Sequence, residues 1–225
     1  MRTLLLPGMD GTGTLFAGLT RVLPGDLDPV VASYSTADAL SYDDLVDQLV
    51  VPDGEVAIVA ESFSGPIGIK LAALLGARAR ALVLVASFAR RPSWVATIAS
   101  LFGATLFRLP PPRAAVRSLL LDASSSEQDV TEVLGALRSV HPAVLARRLR
   151  GIAHVDVRRE LARVRCPLLY LRASRDRLVG PSSIATIRDV QPAIELATLD
   201  APHLVLQRRP AECARLIAEF IRLRR

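Results

Sequence analysis

Short apolar runs rich in leucine, valine and isoleucine alternate along this chain with longer segments whose apolar residues recur at helical spacing. The runs Thr3–Leu6, Pro29–Tyr34, Val56–Ala60, Ala81–Ala86, Pro167–Leu171 and Ala193–Leu199 have the length and content of buried strands. Between them, Leu15–Leu19 predicts a short helix. Ser41-Tyr42-Asp43-Asp44 opens another, with a polar cap, early acids, and Leu45, Val46 and Leu49 facing inward. Ile67–Leu75 and Pro181–Val190 follow the same logic, and Arg209–Leu223 predicts an amphipathic final helix. Strands that are apolar along their whole length, separated by helices, imply a parallel sheet covered on both faces. The expected fold class is therefore α/β: a six-stranded, mostly parallel, doubly wound sheet.

The rhythm changes over residues 88–153. No strand pattern occurs there, and helical patterns are broken by Pro110-Pro111-Pro112 and Ser124-Ser125-Ser126. Trp94, Phe102 and Phe107 make its first part unusually apolar, and Thr131–Val140 and Pro142–Arg150 predict two more helices. We expect one domain, residues 1–225, with 88–153 as a helical, lid-like insertion over the carboxyl edge of the sheet. Trp94, Phe102 and Phe107 are its candidate substrate-binding residues.

Composition narrows the function classes. The chain has 225 residues, a hydrophobic content of 51% and a mean hydropathy of +0.34, enough for a sizeable core. No apolar run reaches the length of a membrane span, so no stable membrane insertion is expected. The apolar start stops at Pro7-Gly8, too short for a signal peptide, which makes a cytoplasmic protein the expectation. The formal charge is +6, but Lys70 is the only lysine and the arginines are spread along the chain. Arg147, Arg148 and Arg150, the densest group, read as the solvated face of a helix. With aromatics at 4% there is no stacking platform, so a nucleic-acid partner is not expected. Two cysteines, Cys166 and Cys213, make no disulfide framework, and no Cys/His spacing suggests zinc; neither a metal nor a cofactor is expected. Oligomeric state is not legible in these patterns.

Candidate chemistry begins where the third run ends, at Glu61-Ser62-Phe63-Ser64-Gly65. A strand, a tight turn of small residues and a helix form the setting in which a serine nucleophile is held on a strained turn. With Ser62 as nucleophile, the residues two before and two after are Ala60 and Ser64, both small. With Ser64 they are Ser62 and Pro66, a worse fit. A serine that merely caps the helix is the competing explanation, so the partners decide.

Ligands of an open parallel sheet bind beyond the carboxyl ends of its strands. A serine hydroxyl needs a base, and of the three histidines only His203 follows a core strand, whereas His141 and His154 border the insertion. The acid that orients the histidine is expected to be Asp176, in the loop after the fifth strand; Asp200 is the rival and Asp189 falls inside a helix. A tetrahedral oxyanion needs backbone donors, for which the Phe63 amide and the Met9 amide in the turn after the first strand are the candidates. A phosphate cradle at Gly8-Met9-Asp10-Gly11-Thr12-Gly13 is the alternative for that turn, but it lacks a Walker lysine.

The pieces LLLPGMDGTG, AESFSG, LYLRASRDRLVG and LDAPHLVLQ resemble the α/β-hydrolase superfamily along essentially the whole chain. Pro7 replaces the more familiar histidine, and Ser64 the second glycine of the elbow, a change that could tilt the elbow or narrow the acyl site. The chain opens at the strand before the oxyanion turn, without the two antiparallel strands of the fuller fold, so a reduced version is expected. PG-x-DGTG with ESFSG also resembles a bacterial branch of small hydrolases and the hydrolase-like part of plant phytyl ester synthases. The resemblance implies a serine hydrolase that cleaves a small-molecule carboxylic ester or thioester through an acyl-enzyme. An acyltransferase using the same triad and an inactive ligand-binding relative are the alternatives.

Overall fold

The computed structural model describes residues 1–92 and 111–224. Trp94, Phe102 and Phe107 lie outside the described residues. The chain runs β1 (Arg2–Leu6), α1 (Ala17–Val22), β2 (Pro29–Val31), α2 (Tyr42–Asp47), β3 (Val56–Glu61), α3 (Gly65–Leu75) and β4 (Ala79–Val85). Helices α4 (Arg113–Leu119), α5 (Glu127–Arg138), α6 (Pro142–His154) and the single turn α7 (Arg158–Leu161) precede β5 (Leu168–Ala173). The remaining elements are α8 (Pro181–Val190), β6 (Glu195–Leu199), α9 (Val205–Arg208) and α10 (Pro210–Arg222).

The six strands form one parallel sheet in the order β2-β1-β3-β4-β5-β6. β3 and the core of β4 are buried on both faces, which is why they read as continuous apolar runs. Alternate residues split between two cores. Leu4, Ile58, Leu82 and Leu84 pack with α2, α3, α6 and α8, whereas Leu5, Val59, Val83 and Leu171 pack with α1, α9 and α10. Side chains alternate across a strand, so neither core exists without the other.

Winding reverses between β1 and β3: the chain goes from β1 outward to β2, then returns to the other side of β1. The register sets Leu6 opposite Ala60, so the turns after these two strands emerge side by side. That is the point where an open parallel sheet forms its ligand crevice.

Element boundaries moved where tertiary contacts overrode local pattern. The second strand stops at Val31 rather than Tyr34, because the chain bends in towards the first turn, and the Tyr34 amide donates to Gly11 O at 2.7 Å. The strand expected to end at Ala86 ends at Val85, and Ala86 turns away with φ 45°. Helix α5 begins at Glu127, four residues ahead of the expected start, behind a capping box between Ser126 and Asp129. Among the described residues no helix is long and apolar enough to cross a membrane.

Candidate active site

Three strand ends converge on one cluster. Ser62 follows β3 directly and has φ 49°, a left-handed conformation that a non-glycine residue adopts only under constraint. The helix that follows is pressed unusually close. A Cβ on Gly68 would lie 2.7 Å from Ala60 Cβ, and one on Gly65 would lie 1.8 Å from Ser87 Oγ. The close approach therefore rests on Gly65 and Gly68, and not on Ser64. The Ser62 carbonyl accepts from Ser87 Oγ at 2.6 Å, which pins the turn to the end of β4. Ser87 is in turn gripped by Tyr170, whose hydroxyl accepts from the Ser87 amide at 3.0 Å and donates to its carbonyl at 2.7 Å.

The expected partners line up from Ser62, His203 touching it and Asp176 touching His203. Ser62 Oγ is 2.8 Å from His203 Nε2, and His203 Nδ1 is 2.8 Å from Asp176 Oδ2. The other carboxylate oxygen of Asp176 accepts from the amides of Leu178 and Val179 at 2.8 and 2.9 Å, so the carboxylate is held from both ends. His203 and Asp176 have side-chain exposures of 3% and 4%, which keeps this hydrogen-bonded pair out of water. Nδ1 faces an acceptor, so it carries the proton and leaves Nε2 free to accept from Ser62. The rival Asp200 instead faces solvent, with Ser174 and Arg175 as partners. His141 caps α6 and His154 meets its own helix at Arg150 O.

Ser64 is fully buried and points elsewhere. Its hydroxyl donates to the Pro7 carbonyl and accepts from Tyr34 OH at 2.7 Å. It does not border the cavity above Ser62, so the extra hydroxyl ties the elbow to the end of β1 without narrowing that space.

Two charged residues of the site were not found by pattern reading. Arg148, expected on a solvated helix face, is 3% exposed. It donates to Met9 O at 2.9 Å, Asp10 O at 2.8 Å and Ser35 O at 2.8 Å, and lies 5.9 Å from the centroid of the Phe63 ring. The signal was present, since Val144, Arg148 and Ile152 share one face of α6 at i, i+4 spacing. Glu61 is 2% exposed, and its Oε2 accepts from Gln207 Nε2 at 3.3 Å. Burial pushes its carboxyl up from 4.5 to about 7; the Gln207 hydrogen bond and the His203 charge pull it down, and Asp10 pushes it further up.

Above Ser62 lies a cavity of about 120 Å³. Gly8, Met9, Asp10, Glu61, Ser62 and His203 form its floor; its walls are apolar, including Leu120, Val133, Leu137 and Ile152 from the helices between β4 and β5. Among the described residues no group of His, Cys, Asp or Glu could hold a metal ion.

A doubly wound parallel sheet with serine, histidine and acid at the ends of β3, β6 and β5, in the chain order Ser, Asp, His, defines the α/β-hydrolase class. The sequence profile of the alpha/beta hydrolase family matches residues 3–216, and the chain belongs to that family. Solved structures agree in fold. A thermophilic esterase from Thermogutta terrifontis is 18% identical with a TM-score of 0.84, covering 99% of this chain and 89% of its own. An esterase from Exiguobacterium antarcticum is 11% identical with a TM-score of 0.81 (99% and 92%). The enol-lactonase from Burkholderia xenovorans LB400 is 18% identical with a TM-score of 0.75 (98% and 90%). Among curated proteins no sequence matches this chain.

Proposed function

We propose that this chain is a serine hydrolase that cleaves carboxylic esters or thioesters carrying an apolar acyl group. The observation that carries the proposal is the unbroken chain Ser62 Oγ–His203 Nε2 and His203 Nδ1–Asp176 Oδ2, 2.8 Å at each step, with Ser62 held at positive φ beneath an apolar cavity. His203 takes the Ser62 proton as Oγ attacks the carbonyl, and Asp176 balances the imidazolium that forms. The Met9 and Phe63 amides receive the oxyanion. His203 then hands the proton to the leaving alcohol or thiol, leaving an acyl group on Ser62. Water then attacks the acyl carbonyl and loses a proton to the same histidine, which returns it to Ser62 Oγ as the acyl–oxygen bond breaks and the acid leaves.

The apolar walls contributed by α5 and α6 support an aliphatic or aromatic acyl group. They also support assigning residues 88–153 to a cap on the sheet within a single domain. Esterases and a lactonase among the similar structures fit the same chemistry.

Labelling with a fluorophosphonate probe, followed by peptide mapping, tests the proposal. The expected adduct is on Ser62, and Ser62→Ala is expected to lose both labelling and about 10⁴- to 10⁶-fold in kcat. No labelling, or an adduct on Ser64, sinks this assignment.

A further inference from the structure

The mechanism above uses the Met9 amide but does not account for the guanidinium buried behind it. Arg148 is held by three backbone carbonyls, two of them in the turn after β1. Asp10 lies near enough for its charge to favour the guanidinium's, against the burial that lowers the arginine's pKa. The Asp10 carboxylate itself accepts from the amide and hydroxyl of Thr12, at 2.9 and 2.6 Å.

The turn connects that guanidinium to Met9 through peptide groups. Arg148 Nη1 donates to the Asp10 carbonyl at 2.8 Å. The same peptide group carries the Gly11 N–H, which donates to the Gly8 carbonyl at 3.0 Å. That second peptide group carries the Met9 N–H. A hydrogen bond to a peptide carbonyl strengthens the N–H of the same peptide, by roughly 10–30% per bond. Resting on the assignment of Met9 N–H as an oxyanion donor, we infer that Arg148 is a positioning residue for the oxyanion site, holding and polarising the Met9 amide through two peptide groups. It touches neither substrate nor Ser62.

Three further features fit. Gly11 has φ 69°, and a Cβ there would fall 2.7 Å from Arg148 Nη1, so the turn is shaped to let the guanidinium in. The Phe63 amide has a neutral counterpart, because its peptide carbonyl, Ser62 O, accepts from Ser87 Oγ. Arg148 belongs to α6, so a helix between β4 and β5 reaches the β1 turn and orders it.

The test uses Arg148→Lys and Arg148→Met, assayed on a p-nitrophenyl ester and with an alkyl trifluoromethyl ketone, which forms an oxyanion on Ser62. Arg148→Met is expected to lower kcat about 10- to 100-fold, less than deleting an oxyanion donor outright, with KM nearly unchanged. Affinity for the trifluoromethyl ketone should fall in step with kcat, and Arg148→Lys should recover part of both. Leu149→Ala, one position along the same helix, should lower stability without lowering kcat. Wild-type kcat in a folded Arg148→Met, or a fall in kcat with ketone affinity intact, overturns the inference.

If both arginine variants fail to fold, proton NMR of the unmutated protein decides. On ketone binding, the Met9, Gly11 and Arg148 Nη protons should move downfield together, and a Met9 shift without the other two overturns the relay. Fluorophosphonate labelling separates the layers. A wild-type protein that fails to label at Ser62 refutes the hydrolase assignment, whereas normal labelling with full activity in Arg148→Met refutes only the role of Arg148.

Discussion

Glu61 makes the stability of this fold depend on pH in a direction opposite to that of a salt-bridged carboxylate. Its carboxyl is buried between the turn after β1 and α9, with Gln207 as hydrogen-bond partner, and burial pushes it from 4.5 to about 7. Between those pH values the unfolded chain has released this proton and the folded chain still holds it. Stability from this group is therefore fully present below pH 4.5, falls as pH rises through the window, and levels off above pH 7. The shift corresponds to about 3 kcal/mol. Glu61→Gln keeps the shape and cannot ionise. It also replaces an oxygen that lacks a hydrogen-bond partner, Glu61 Oε1, with a donor near Gln207, whose own Oε1 is likewise unpartnered. The variant's stability relative to wild type should therefore climb by about 3 kcal/mol between pH ~4.5 and ~7.5. Urea unfolding of both proteins at several pH values reads this difference, in which most other titrating groups cancel. Asp10, His203 and Cys213 are the groups electrostatically coupled to Glu61. A difference that stays flat across the window, or that grows towards acid, refutes the reasoning.

Two other outcomes follow from the packing. Gly68→Ala places a methyl group 2.7 Å from Ala60 Cβ and 3.3 Å from Leu82 Cδ1, and should destabilise the fold by about 1–3 kcal/mol in urea; Ala60→Gly in the same protein should restore part of the loss. The cavity above Ser62 should make kcat/KM on p-nitrophenyl esters rise about three- to fourfold per added methylene until the space is filled, and Val133→Trp should move the optimum to shorter chains. A profile flat in chain length removes the apolar acyl pocket.

Much of the fold was legible in the chain because its sheet is buried on both faces. Val56–Ala60 and Ala81–Ala86 read as strands without reference to anything distant, since burial of β3 and β4 on both sides demands apolar side chains at nearly every position. The order of Ser62, Asp176 and His203 along the chain, each just past a strand, was legible for the same reason: a parallel sheet collects its strand ends on one edge. Ser64 is different. Local pattern sees a small residue where glycine is more familiar, and only the fold shows its hydroxyl on Pro7 O, 57 residues away.

What the chain determined by itself was the alternation, and with it the edge where chemistry could sit. The tertiary structure decided the direction in which each polar side chain points. Glu61 directly follows the third apolar run, and only its burial beside Gln207, Asp10 and His203 sets its protonation. Arg148 is indistinguishable in the sequence from exposed Arg150 on the same helix, yet it reaches carbonyls 138 and 139 residues away. Hydrophobic periodicity is a local property set by which face of an element is buried, whereas hydrogen-bond partners are set by how distant elements pack. That is why Ser62 could be placed from the sequence and the groups that hold its turn in position could not.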